Sequence, residues 1–198
     1  MRALRDIQQH EEVTIPLGHS GNIGWAAEHP GTIITFDGGA RAVSGHQAAA
    51  GAAIHWGHDA DGVWRPHRTG TATFPYQADS QIAEANGALM PLHLLAGEPG
   101  QHTRVRICGD NLGVVQYCAG TGRATRPALH DILGQALGEA ASRGVAITWE
   151  AVRRRLNIGA DRAATAGCTY AATLAAQGTR ALHIRMHHGA SLDDPNIR

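Results

Sequence analysis

The segment Thr32-Ile33-Ile34-Thr35-Phe36-Asp37-Gly38-Gly39-Ala40 constrains this chain most. Its first five residues are β-branched or apolar, the composition of a strand buried on both faces. A carboxylate then arrives at Asp37, directly before two glycines that read as the place where the chain leaves the strand. An aspartate in such a setting is costly to bury unless it is paired or coordinates a metal. Taken alone, the segment fits a turn equally well, with Asp37 solvated and Gly38-Gly39 as punctuation. The other acids of the chain decide between the two.

At 198 residues the chain suits one domain with extensions. The boundaries read as an N-terminal extension over 1–30, an α/β domain over 31–177 and a polar tail over 178–198. Formal charge is zero, so affinity for a polyanion has to come from local patches. All 17 basic residues are Arg, which grips phosphate in bidentate fashion. Cys108, Cys118 and Cys168 are odd in number and form no CxxC pair, which argues against a disulfide framework or a zinc site and suits a reducing cytoplasm. No apolar run approaches the ~20 residues of a membrane span, and residues 1–10 lack the apolar core of a signal peptide. The 13 His show no metal-ligand spacing, and most read as surface residues.

Strands are expected at Thr32–Asp37, Ala49–Trp56 and Val63–Phe74, the last two joined by the turn Asp59-Ala60-Asp61-Gly62. A helix follows from Asp79 or Ser80, with Ile82, Ala85, Leu89, Leu92 and Leu95 on one face and Pro91 as a candidate kink. Thr103–Gly109 alternates as a fourth strand, Leu112–Ala119 and Ala128–Arg143 read as helices, and Val145–Trp149 as a fifth strand. An Arg-rich connection then leads to an Ala-rich helix over Asn157–Ala176. Three antiparallel strands followed by strands separated by helices imply one mixed sheet of five strands, two of them added in parallel, flanked by helices. The short segments at 13–16 and 18–22 read as a strand and a turn.

Four acids fall at telling positions: Asp37 at the end of the first strand, Glu84 in the first helix, Asp110 after the fourth strand and Asp161 early in the last helix. Ligand crevices of open α/β sheets form outside the carboxyl ends of adjacent parallel strands, where Asp37 and Asp110 would meet. Converging carboxylates repel one another and call for cations. Hard oxygen donors that leave room for a phosphate suit Mg²⁺ or Mn²⁺, and a pair of such ions suits phosphodiester hydrolysis.

With these residues in place the chain resembles the ribonuclease H type 1 family, including the related domains of reverse transcriptases. The resemblance rests on Phe36-Asp37-Gly38-Gly39-Ala40, Ser80-Gln81-Ile82-Ala83-Glu84, Gly109-Asp110-Asn111 and Asn157-Ile158-Gly159-Ala160-Asp161-Arg162-Ala163-Ala164, in that order over about 31–177. It implies a ribonuclease H-like fold and two-metal hydrolysis of the RNA strand of RNA–DNA hybrids, leaving 3′-hydroxyl and 5′-phosphate ends. It further implies that Asp37 bridges two Mg²⁺ or Mn²⁺ ions, that Glu84 and Asp110 hold one, and that Asp161 completes the other. Ser80 and Gln81 match polar residues facing the hybrid's minor groove, where the 2′-hydroxyl marks RNA; helix capping explains Ser80 equally well and Gln81 less well. Gly38 and Gly39 would let backbone and phosphate come close to the metals. Asn111, beside Asp110, joins the substrate-binding candidates, and so does Arg154, from an Arg153–Arg155 run suited to backbone phosphate.

Two family features are missing. The interval before the last helix carries no His, so no catalytic histidine is assigned; the chain looks like the subset in which Arg precedes the Asn of the last motif. The basic helix and handle of some relatives is absent, with Arg123 and Arg126 marking its place. The partner implied is an RNA–DNA hybrid, acted on by a cytoplasmic monomer without membrane or protein partners. Two other readings keep the fold: a DNA nuclease or resolvase-like enzyme, and a non-catalytic nucleic-acid-binding module, the latter predicting a missing acid.

Overall fold

The first strand does not stop at the aspartate. In the computed structural model, β1 runs Thr32–Val43, through Gly38 and Gly39. It turns into β2 (His46–His58) over Ser44 and Gly45 alone, whose φ values of 51° and 81° are those a two-residue hairpin needs. The loop expected before Ala49 is therefore strand. Gly38 and Gly39 stay in the ladder, paired with Gly51 and Ala50. Structure is described for residues 31–58, 64–75, 78–96, 104–123, 126–142 and 145–188. The features expected at 13–16, 18–22 and 59–62 lie outside these residues.

After β3 (Trp64–Phe74) come α1 (Ser80–Ala96), β4 (Arg104–Gly109), α2 (Leu112–Cys118), α3 (Pro127–Ser142), β5 (Ala146–Ala151), a 3₁₀ turn at Arg154–Leu156, α4 (Ile158–Ala176) and β6 (His183–His188). The strand order is β5-β4-β1-β2-β3-β6. β1, β2, β3 and β6 pair antiparallel in succession, while β4 joins β1, and β5 joins β4, in parallel. The mixed α/β sheet agrees with the sequence reading, except that it has six strands where five were expected. The sixth comes from a stretch read as polar tail. Ile184 and Met186 pack against the main core there, and alternate with His183 and Arg185, whose polar side chains hid the period.

Helices cover both faces. On one, α1 lays Leu89, Met90 and Leu92 on Ile34, Phe36, Ala53 and Ala72, and α3 adds Leu129 and Leu133 behind it. α1 passes through the buried Pro91 and ends at Ala96. On the other, α4 buries a run of small residues, Gly159, Ala160, Ala163, Ala164, Gly167 and Ala171, and so lies close to β1, β2 and β3. Ile33, Ile54 and Trp56 complete that second core, and the Trp56 indole donates to Thr35 Oγ1 at 2.9 Å. The three cysteines are free and buried. His55 and His183 are buried as well. Among the described residues no helix is long and apolar enough to cross a membrane.

Candidate metal centre

The parallel ladder between β1 and β4 ends at the pair Phe36–Gly109. The next residue on each strand is an acid, Asp37 on one and Asp110 on the other. Strand register alone thus sets the two carboxylates side by side where β4 stops and β1 continues. Gly109 accommodates the Phe36 ring, since a Cβ there would lie 2.4 Å from it, and Phe36 in turn meets Trp149 of β5 edge to face at 6.1 Å.

Glu84 arrives from α1 because glycines let that helix lie against the strand backbone. A Cβ on Gly38 would sit 2.2 Å from the Glu84 nitrogen, and one on Gly87 2.3 Å from the Asp37 carbonyl oxygen. Neither space exists. Gly38 therefore seats the helix, rather than making the room for phosphate that the sequence suggested. Nothing lies within 4 Å of a Cβ built on Gly39, so open space next to the acids begins there.

The three carboxylates of Asp37, Glu84 and Asp110 bring one oxygen each within 4.8 Å of the others. Asp37 is buried at 6% exposure. Burial, and then the Asp110 charge, push its carboxyl up to about 7, against a hydrogen bond from the Gly38 backbone. Glu84 is pushed up to about 8, by burial first and then by the charges of Asp37 and Asp110, with Asn111 hydrogen-bonding in opposition. Glu84 Oε2 is buried without a hydrogen-bond partner. A buried carboxylate oxygen left unsatisfied beside two further acids is a donor set for a hard divalent cation, so these residues fit the Mg²⁺ or Mn²⁺ that the sequence suggested.

Asp161 stands next to this group but outside it. It lies in the first turn of α4, and Arg154 from the 3₁₀ turn donates to its Oδ1 at 2.7 Å. Its charge still contributes to the raised titration of Asp37. Three of the four expected acids are thus gathered, and the fourth is adjacent, held by an arginine that was itself a substrate-binding candidate. The residue the site assignment missed is Asn157. It is buried, and its amide nitrogen donates to the Phe36 carbonyl at 2.8 Å and to Asp110 Oδ1 at 3.2 Å. It belongs to the last motif, so a signal existed; an amide simply carries no charge to draw attention.

The remaining candidates line the same end of the sheet. Ser80 and Gln81 are exposed at the start of α1. The helix is capped by Asp79, whose Oδ1 accepts from the Ile82 backbone at 2.9 Å, so capping is not Ser80's task. Arg126 grips that same carboxylate at 2.7 and 2.9 Å. Asn111 caps α2 through Val114, at 3.2 Å, besides bonding Glu84.

No protein-family model and no curated protein matches the chain. Solved structures do. The N-terminal ribonuclease H domain of Rv2228c from Mycobacterium tuberculosis, solved as a fusion with maltose-binding protein, is 26% identical with a TM-score of 0.57, over 74% of this chain and 96% of that one. LC11-RNase H1, solved in complex with an RNA/DNA hybrid, is 18% identical with a TM-score of 0.58, over 71% and 98% of the two chains. RNase H1 from the halophilic archaeon Halobacterium salinarum NRC-1 is 19% identical with a TM-score of 0.53, over 75% and 98%. At such identities the last two speak for the fold. The chain's structural likeness is to the ribonuclease H type 1 family, the family that its acidic segments resemble.

Proposed function

We propose that this chain is a metal-dependent endoribonuclease that hydrolyses the RNA strand of RNA–DNA hybrids, leaving 3′-hydroxyl and 5′-phosphate ends. The observation that carries the reading is the meeting of Asp37, Glu84 and Asp110, with Glu84 Oε2 left unsatisfied, where β4 ends beside the middle of β1. Two divalent ions, Mg²⁺ or Mn²⁺, would supply charge neutralisation of the phosphodiester and an acidified water. Asp37, Glu84 and Asp110 would hold them together with Asp161, once that acid is released by Arg154.

The chain's own residues do the rest. Asn157 fixes the Asp110 carboxylate against β1, and Asn111 steadies Glu84 from the cap of α2. Ser80 and Gln81, freed from capping by Asp79, offer a hydroxyl and an amide for a 2′-hydroxyl in the minor groove. Gly39 leaves space for the strand that approaches the acids. The unit so described would act as a cytoplasmic monomer, with residues 1–30 as an extension.

A labelled RNA–DNA hybrid incubated with Mg²⁺ or Mn²⁺ tests the reading, with single-stranded RNA, duplex RNA, duplex DNA and a DNA junction in parallel. Cleavage of the hybrid's RNA strand, lost in Asp110→Asn, is the expected result. Preferential cleavage of DNA or of the junction would move the assignment to a resolvase-like enzyme. Binding without cleavage in either metal would leave a nucleic-acid-binding module.

A further inference from the structure

Arg41 lies on the strand that carries Asp37, four residues further on and on the same face by strand alternation, with the side-chain-free Gly39 between them. It is exposed. Its guanidinium does not extend into solvent at random: it donates to the Thr165 hydroxyl of α4, and it also reaches the Cys168 thiol. Thr165 is one turn beyond Asp161, about 6 Å along the helix axis. The side chain is thus folded back along α4 toward the acidic centre.

The groups that place this arginine differ from those that hold three other arginines of the domain. Arg106 pairs with Glu150, Arg126 with Asp79 and Arg154 with Asp161. Among the described residues no carboxylate pairs with Arg41; a hydroxyl and a thiol hold it instead. Neutral partners orient the guanidinium without cancelling its charge, and leave donors of the planar fork free. A full positive charge is therefore kept at Thr165, itself one helical turn beyond Asp161 on α4, with open space over the neighbouring Gly39. The rise from Asp161 to Thr165, about 6 Å, is on the order of the step between neighbouring phosphates of one strand.

We propose that Arg41 is a phosphate-binding residue, taking a backbone phosphodiester of the strand that enters the acidic centre, at a position next to the one cleaved. Thr165 and Cys168 act as positioning residues for it. The inference rests on the nuclease reading above and adds a contact outside the acids.

The test is binding of a labelled hybrid to the full chain in EDTA, followed by fluorescence anisotropy over a salt series. Arg41→Ala is expected to weaken binding about three- to tenfold and to reduce the slope of log K against log salt by roughly one. Arg41→Lys, which keeps the charge but not the fork, should recover the slope and only part of the affinity. Arg180→Ala, an exposed arginine past the far end of α4, is the control expected to change neither. Replacing single phosphates by neutral methylphosphonates along the RNA strand should show one position where the wild type loses affinity and Arg41→Ala loses nothing further. An unchanged salt slope in Arg41→Ala, with the wild type still cleaving the hybrid, overturns the inference alone. Absence of hybrid cleavage by the wild type removes the nuclease reading, and the inference with it.

Discussion

Asn157 donates its side-chain amide to Asp110 Oδ1 at 3.2 Å while the same nitrogen holds the Phe36 carbonyl at 2.8 Å. One buried amide thus ties the start of α4 to the middle of β1 and to the acid that follows β4. Asn157→Ala leaves the Phe36 carbonyl unsatisfied, at a cost of about 1–3 kcal/mol, and frees the Asp110 carboxylate to rotate. Asn157→Asp adds a fourth negative charge against the cluster. Activity on a hybrid is expected to fall about 10- to 100-fold in Asn157→Ala, the range for residues that orient metal ligands, and further in Asn157→Asp. Steady-state kinetics over an Mg²⁺ titration check this; an activity equal to wild type at every Mg²⁺ concentration would sink it.

Much of this arrangement could be read from the sequence, and the reasons differ by residue. Asp37 and Asp110 stood out because each follows an apolar strand, and strand register then makes them neighbours. Glu84 stood out less from periodicity than from its company, Ser80-Gln81-Ile82-Ala83-Glu84. What could not be read is contact between distant segments. Gly38 looked like a place to leave the strand because nothing local shows that α1 will press on it, with Glu84 46 positions away. Arg154 was a candidate for phosphate, but its grip on Asp161 depends on a 3₁₀ turn that composition does not announce. β6 was missed because His183 and Arg185 sit on a face that would normally be apolar, and their burial is decided by the packing around them.

Gly38 and Gly39 are adjacent in sequence and opposite in consequence. A methyl group at Gly38 collides with the backbone of Ala83 and Glu84, which cannot move without lifting α1. Gly38→Ala is therefore expected to lose about 1–3 kcal/mol or more of stability together with hybrid cleavage, read as a lower denaturant midpoint. Gly39→Ala meets nothing and should keep its stability within about 0.5 kcal/mol. If a strand passes over Gly39, the methyl group raises KM with little change in thermal midpoint. Equal stability of the two variants would refute the packing role given to Gly38.

The titration of the acids gives the metal-free protein a pH dependence with a definite sign. Asp37 and Glu84 are raised from 3.8 and 4.5 to about 7 and about 8 in the folded state. Between those limits the folded chain binds more protons than the unfolded one, so stability falls as pH rises. Below about pH 4 both states are protonated, and above about pH 8 both are ionised; the loss is confined to the window between. In EDTA the thermal midpoint attributable to these groups should fall from pH 5 to pH 8, and Asp110→Asn should reduce the fall by removing a repelling charge. Added Mg²⁺ should restore the midpoint at pH 8 and do little at pH 5, where protons already neutralise the site. A Mg²⁺ effect as large at pH 5 as at pH 8 would contradict this account.

The capping arrangement separates two roles at the start of α1. Asp79 caps the helix and is gripped by Arg126, whereas Ser80 and Gln81 remain exposed without that task. Asp79→Ala should cost about 1 kcal/mol of stability through the lost cap. Ser80→Ala and Gln81→Ala should leave thermal unfolding unchanged and raise KM for the hybrid, because their polar atoms face outward next to Glu84. Unfolding curves for the three variants, set beside their hybrid kinetics, check the division. A destabilised Ser80→Ala with unaltered KM would return that residue to a structural role.

Arg154 and Asp161 make the last case. The guanidinium lies in the field of Asp37 and Asp110 as well as against Asp161, and all three charges favour its protonated form. It occupies the Asp161 carboxylate beside the three acids, and its side chain is 79% exposed, so solvent competes for the pair. On the nuclease reading proposed above, removing a resident guanidinium from beside the three acids should strengthen binding of a metal ion there. Arg154→Ala is expected to bind Mn²⁺ more tightly than wild type in calorimetry without nucleic acid, by a factor on the order of two to five for so exposed a pair. Asp161→Asn should cancel the gain, since it removes the carboxylate the arginine was shielding. For hybrid cleavage the sign reverses, because a guanidinium displaced from Asp161 is then available to a phosphate, and kcat/KM should drop in Arg154→Ala at saturating Mn²⁺. Unchanged or weaker Mn²⁺ binding in Arg154→Ala would show that the arginine supports the acids instead of competing for them.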